Sequence, residues 1–229
     1  MNKKLTALAM CLAMSTALVI AQEKEDERLA NSAKALEQTL GGGNGLPTNI
    51  LNHAVCVLIY PSVKKVGLGI TGSSYGRGAL VCRKGATMNG EWGAPAMYSL
   101  DQHSLGPQLG GSDTDFVLVV MNQKGADQIL NGKIKLGTGA AAVAGPTGAQ
   151  AQQYDAEAMN KDILTYSRSK GALVGVSLEG AKMDTDKDAN KALYGKDVTA
   201  KEIITGNEQI PASAQPLVNL LDKASPARK

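Results

Sequence analysis

The stretch that most constrains this chain is residues 66–83, VGLGITGSSYGRGALVCR. Val66, Leu68 and Ile70 alternate with Gly67, Gly69 and Thr71. That is the period of a β-strand with one greasy face and one face of almost bare backbone. Residues 73–76 read as a turn. Residues 77–83 then alternate again, with Leu80 and Cys82 opposed to Arg77, Ala79, Val81 and Arg83. The pattern predicts a β-hairpin whose glycines let another sheet, a helix or a ligand approach the backbone closely.

Two catalytic motifs overlap this stretch, and neither has the context it needs. Gly67, Gly69 and Gly72 spell GxGxxG, which binds a dinucleotide only where a strand gives way to a helix whose N-terminus receives the pyrophosphate. Here strand periodicity continues through the glycines. Gly72, Ser74 and Gly76 spell GxSxG, the nucleophile elbow of hydrolases, which requires a strand–turn–helix and a distant acid and histidine. The chain has two histidines, His53 and His103, and His103 follows Ser74 closely. Ser74 with His103 is therefore the one pair on which a secreted hydrolase, the alternative to a binding protein, would rest. A Gly-rich hairpin accounts for both motifs more simply.

The chain of 229 residues opens with Met1-Asn2-Lys3-Lys4, continues through an apolar run over residues 5–20 and reaches Val19-Ile20-Ala21 before Gln22. A basic start, an apolar middle and small residues before a polar stretch predict a secretory signal peptide over 1–21, cleaved after Ala21. Cys11 lies in mid-run and follows Met10, which argues against a lipoprotein. Removing 1–21 leaves 22 basic against 21 acidic residues, a net charge of +1. That balance excludes a nucleic-acid footprint, which needs a pronounced basic excess. The expected location is the periplasm or the exterior. Cys56 and Cys82 remain in the mature chain, where an oxidising compartment permits pairing, while their apolar strand-like surroundings favour buried free thiols.

Residues 22–45 divide into an amphipathic helix and a Gly-rich linker before a domain over 46–229. Leu29, Ala33, Leu36 and Leu40 form one helical stripe, stopped by Gly41-Gly42-Gly43. The polar face carries Glu23, Glu25, Asp26, Glu27 and Glu37 against Lys24, Arg28 and Lys34, which suits packing on the protein's own domain better than anionic lipid. Farther on, residues 47–52 suit a short helix and 54–60 a buried strand stopped by Pro61. Residues 116–121 suit a central strand, 123–130 a helix and 133–136 a brief strand. Close-packed Gly/Ala turns are expected over 137–148, and a second hairpin over 163–180 turning at 168–171. Thr199 and Glu202 predict a capping box, and Leu217, Leu220 and Leu221 stripe a last helix. The fold class this predicts is α+β, a mostly antiparallel sheet or barrel-like core built from Gly-rich hairpins, with short peripheral helices.

Asp184, Asp186 and Asp188 alternate like the opening of a calcium loop. Ala189 replaces the turn glycine, however, and Gly195 the bidentate glutamate. Asp186 or Asp188 as the cap of a helix ending at Tyr194 is the better reading. No metal or cofactor is expected.

Several motifs in order resemble the SYLF domain family. They are PSVKKVG at 61–67, the Gly-rich stretch to Val81-Cys82-Arg83, EWGAP at 91–95, SLGPQLG at 104–110 and DFVLV at 115–119. Ala144-Gly145-Pro146, YSRSKG at 166–171, Leu178-Glu179-Gly180 and NKALYG at 190–195 continue the series. The resemblance covers nearly all of residues 46–200 and suggests a secreted bacterial member. It implies a non-enzymatic module that binds membrane lipid, phosphoinositides in eukaryotic members, with actin binding in some fungal ones. Lys64, Lys65, Arg77 and Arg83 match basic positions of the family and are the expected lipid-binding residues, with anionic membrane lipid as the expected partner.

Overall fold

A computed structural model describes residues 2–40, 45–132, 142–146, 160–171, 178, 180–206 and 208–228. The element order begins with α1 (Asn2–Leu40), α2 (Thr48–His53), β1 (Cys56–Cys82), β2 (Ala96–Val120) and α3 (Gln123–Leu130). It continues with β3 (Ala142–Ala144), β4 (Ile163–Gly171), β5 (Lys182–Thr185), α4 (Lys187–Tyr194), α5 (Ala200–Thr205) and α6 (Gln215–Ala224). Among the described residues β1, β2, β4 and β3 lie side by side in that order, and β5 pairs with the other end of β2. All pairings are antiparallel except β3 with β4, so the α+β class holds.

Where residues 54–60 and 116–121 lie, both faces of the sheet are covered, which explains their unbroken apolar runs. Leu58, Tyr60, Leu80, Tyr98, Phe116 and Leu118 join one core with Ile129 of α3 and Ile203 and Ile204 of α5. Their strand neighbours Val57, Ile59, Val81, Met97, Val117 and Val119 join the other, with α1, α2 and α6. In α1 the expected stripe is recovered: Leu29 and Leu36 are fully buried, and Ala33 and Leu40 pack at the margin. Buried Ser32 and Thr39 return their hydroxyls to the carbonyls of Arg28 and Ala35 at 2.8 Å. This helix packs as part of the domain.

β1 departs most from the expectation. Residues 73–76 do not turn; Ser73, Ser74, Tyr75 and Gly76 stay in strand and pair with His103, Gln102, Asp101 and Leu100. Neither Gly72 nor Gly76 has positive φ. The hairpin connection is instead residues 83–95, where Gly85 and Met88 do have positive φ. Pro61 does not end the strand either. It opens a bulge at which Ser62 (φ 57°) donates its N–H to Asp115 and its hydroxyl to Asp113.

A straight strand of 27 residues would be about 90 Å long. β1 is not straight, because Cys56 and Cys82 at its two ends form a disulfide, their Cα atoms 3.9 Å apart. The free-thiol reading is thereby corrected, since doubling of the strand brings the thiols together. Register shifts between Tyr60 and Val63, and between Gly69 and Thr71, mark the bends. The glycines make the doubling sterically feasible. A Cβ on Gly78 would lie 2.1 Å from the Ile59 carbonyl oxygen, and one on Gly76 would lie 2.7 Å from Cγ2 of Val63. The close approach legible in the sequence is that of β1 to its own first half.

The second expected turn, at 168–171, is also strand: Arg168 to Gly171 pair with Asp115 to Ser112. Its return strand over 172–177 lies outside the described residues, as do the brief strand at 133–136 and most of the 137–148 segment, in which 142–144 form β3. The C-terminal expectations hold. Asp186 caps α4, its side chain accepting from the Ala189 N–H, and Gly195 closes the helix in the left-handed conformation. Thr199 and Glu202 form the capping box of α5.

Candidate basic cleft between the first helix and the doubled strand

The doubling of β1 decides which basic residues meet. Lys64 and Arg77, far apart along the strand, line one cleft of about 280 Å³ against α1. The helix contributes Lys24, Glu27, Arg28 and Asn31; the strand adds Pro61, Ser62, Tyr75 and Gly76. Arg28 is held by Glu25 at 2.8 Å and by Oδ2 of Asp186 at 3.2 Å. The same Oδ2 accepts from Arg77 at 2.5 Å. Asp186 thus binds two guanidinium groups with one oxygen and caps α4 with the other. Burial raises the Glu25 carboxyl pKa above its ordinary value, against the lowering effect of Arg28. Arg77 keeps 60% of its side chain exposed, and among the described residues Lys24 and Lys64 form no ion pair. The lining thus carries cations on both walls, Lys24 and Arg28 from the helix and Lys64 and Arg77 from the strand, against one carboxylate, Glu27.

Next to the cleft, the face read as greasy is open. Val66, Leu68 and Ile70 are 57%, 78% and 72% exposed, and Tyr75 is 55% exposed. Sequence reasoning missed this exposure, as it missed Lys24 and Arg28; the row Lys64-Val66-Leu68-Ile70, with its basic end, was the available signal. Lys65 is half-buried on the opposite face of the strand.

Arg83 is not in this group. It is 1% exposed at the end of β1, and its donors serve the backbone oxygens of Ala54, Gly90, Ser225 and Pro226 and the Ser225 hydroxyl at 2.6–3.1 Å. Its guanidinium carbon stands 4.3 Å from the centroid of the Trp92 ring. Burial lowers its pKa to about 10, so it remains charged at neutral pH. Arg83 fixes the C-terminal tail and is closed to a headgroup.

Ser74 and His103 do not form the pair on which a hydrolase would rest. Ser74 is buried on one face of β1, whereas exposed Ser73 on the other contacts His103 Nδ1 at 3.2 Å. The local structure is a strand where an elbow is needed, and among the described residues no carboxylate hydrogen-bonds His103. Among the described residues there is no group of three His, Cys, Asp or Glu that could hold a metal ion.

Comparison with known proteins shows the family. The family described as "Ysc84: Las17-binding protein actin regulator" matches residues 101–224. The chain belongs to the Ysc84 family. Similar proteins include an SH3 domain-containing protein of Schizosaccharomyces pombe, 35% identical over 189 residues, which cover 81% of this chain and 43% of the relative. Protein YSC84 of Saccharomyces cerevisiae is 28% identical over 204 residues, 88% of this chain and 42% of that one. The human SH3 domain-containing YSC84-like protein 1 is 28% identical over 178 residues, 77% of this chain and 51% of that one. The chain therefore spans about half the length of these Ysc84-family relatives or somewhat less. No solved structure matches.

Proposed function

We propose that this Ysc84-family chain is a non-enzymatic module of the bacterial cell envelope that binds the anionic surface of a membrane. The observation that carries the reading is the cleft, with Lys24 and Lys64, which form no ion pair among the described residues, on its walls and Arg77 beside them, opening next to a row of exposed aliphatic side chains. Each Lys or Arg near an anionic surface contributes about 1 kcal/mol, so this set supports weak, salt-sensitive binding. The names of the relatives describe binding and regulatory proteins, which agrees with a role without catalysis. Las17 binding is stated for proteins about twice as long, and nothing in this cleft selects such a partner.

The reading is tested by co-sedimentation with anionic vesicles. Lys64→Glu with Lys65→Glu is expected to weaken binding at least tenfold, and added salt to weaken binding of the unaltered protein. Equal binding by the double variant would refute the assignment. Removing residues 22–40 is unsuitable as a control, because Leu29 and Leu36 belong to the core.

The envelope location rests on the leader pattern at 1–21, and the Cys56–Cys82 disulfide supports an oxidising compartment. Cleavage after Ala21 leaves every packed α1 residue named above in place. The exported protein is expected to have the intact mass of a chain starting at Gln22. A mass that retains Cys11 with attached diacylglycerol would overturn this.

A further inference from the structure

Among the described side chains, the large apolar residues classed as exposed are Val66, Leu68, Ile70 and Tyr75, and all four lie on one short stretch of β1. Strand alternation places Lys64, Val66, Leu68 and Ile70 on one face. The register shift between Gly69 and Thr71 then carries the exposed face on through Thr71, Ser73, Tyr75 and Arg77. Glycines alternate with the aliphatic residues. Among the described residues this part of β1 pairs only with β2, and the β2 residues opposite it, Gln102 to Gly111, pair only with β1. A two-stranded ribbon bent near Gly69 therefore presents an aliphatic row with cations at both ends.

We infer that this bend is a wedge whose Val66, Leu68 and Ile70 side chains enter the boundary between headgroups and acyl chains of an anionic bilayer. The inference rests on the membrane-binding reading and deepens it, since charge alone needs no insertion. Lys64 and Arg77, which flank the row, and Lys24 across the cleft complement an anionic headgroup layer. Tyr75, an aromatic side chain with a polar tip, suits the same depth. The backbone limits that depth. β1 is the terminal strand, and its outer edge has no partner among the described residues, so its N–H and C=O groups cannot follow the side chains into hydrocarbon. An exposed edge strand also invites pairing with a second copy of the chain. Such pairing would bring two sets of these cations together, and the charge pattern therefore favours the membrane.

Leu68→Trp reads insertion directly, because it keeps the row apolar and Trp92 is buried as a constant background. With vesicles of anionic phospholipid brominated on the acyl chain, Leu68→Trp fluorescence is expected to be quenched and shifted to the blue. Ala86→Trp, in the 83–95 connection, is expected to show neither effect. Val66→Ser with Leu68→Ser and Ile70→Ser is expected to reduce vesicle partitioning by about thirtyfold or more, including at salt concentrations that suppress the charge contribution. Failure takes three distinct forms. If vesicles bind and Lys64→Glu weakens binding but Leu68→Trp is not quenched, the wedge is wrong and membrane binding stands. If the unaltered protein binds no vesicles, the membrane reading fails and the wedge with it. If the triple serine variant loses self-association in sedimentation velocity while vesicle binding is unchanged, the row is a self-interface and the wedge is overturned.

Discussion

Arg83→Ala is expected to destabilise the protein by about 4 kcal/mol or more, and to do so without touching the proposed membrane-binding surface. The guanidinium is buried and reaches four backbone carbonyls and the Ser225 hydroxyl. Truncation removes the donor to the Gly90 and Pro226 carbonyls and the Ser225 hydroxyl, while the Ala54 carbonyl keeps Arg228 and the Ser225 carbonyl keeps Trp92; each buried group left unsatisfied costs about 1–3 kcal/mol. Stacking on Trp92 is lost as well, and Trp92 itself donates to the Ser225 carbonyl at 2.9 Å. The C-terminal tail is thus tied to both residues. Arg83→Lys is expected to recover little, because an ammonium lacks the planar fork that spans carbonyls in different directions. Denaturant unfolding measures the loss, and a midpoint for Arg83→Ala close to that of the unaltered protein would show that the tail is held some other way. Arg77→Ala provides the contrast. Its side chain is 60% exposed, so it is expected to leave the midpoint within about 1 kcal/mol and to reduce vesicle binding.

The second large effect belongs to the disulfide. Cys56 and Cys82 are 26 residues apart in sequence, and a link closing a loop of that size restricts the unfolded chain by about 3.5 kcal/mol on the chain-entropy account. Cys56→Ala with Cys82→Ala is expected to lower the melting temperature by about 10 °C for a domain of this size. A thiol reductant is expected to have the same effect on the unaltered protein and none on the double variant. The folded state retains other ties between the strand ends, notably the hydrogen bond from the Arg83 N–H to the Val55 carbonyl at 2.9 Å. Vesicle binding by the folded double variant is therefore expected to persist. An unchanged melting temperature under reductant would mean that the bond does not form in solution.

Much of the secondary structure was determined by signals only a few residues long. Apolar runs specify the strands entering and leaving the sheet, a heptad-like stripe specifies the packed face of α1, and Asp186, Thr199 and Glu202 specify where α4 and α5 begin. Each signal acts on the backbone beside it, so it is legible without knowing the fold. The same reasoning predicted turns at 73–76 and 168–171, where glycine and serine cluster but the chain remains in strand. In the first of these, glycine is used for contact rather than curvature: Gly76 and Gly78 leave room for Val63, Ile59 and Tyr60.

Periodicity alone determined that Val66, Leu68 and Ile70 share a face. The tertiary structure decided that this face is open, that Lys64 and Arg77 meet at one cleft while Arg83 is sealed beneath the C-terminal tail, and that the two thiols bond. The physical reason is that alternation fixes the relative direction of neighbouring side chains, whereas burial and pairing depend on what distant segments bring to them. Here that distant partner is the other half of the same strand, and only its doubling determines what each face meets.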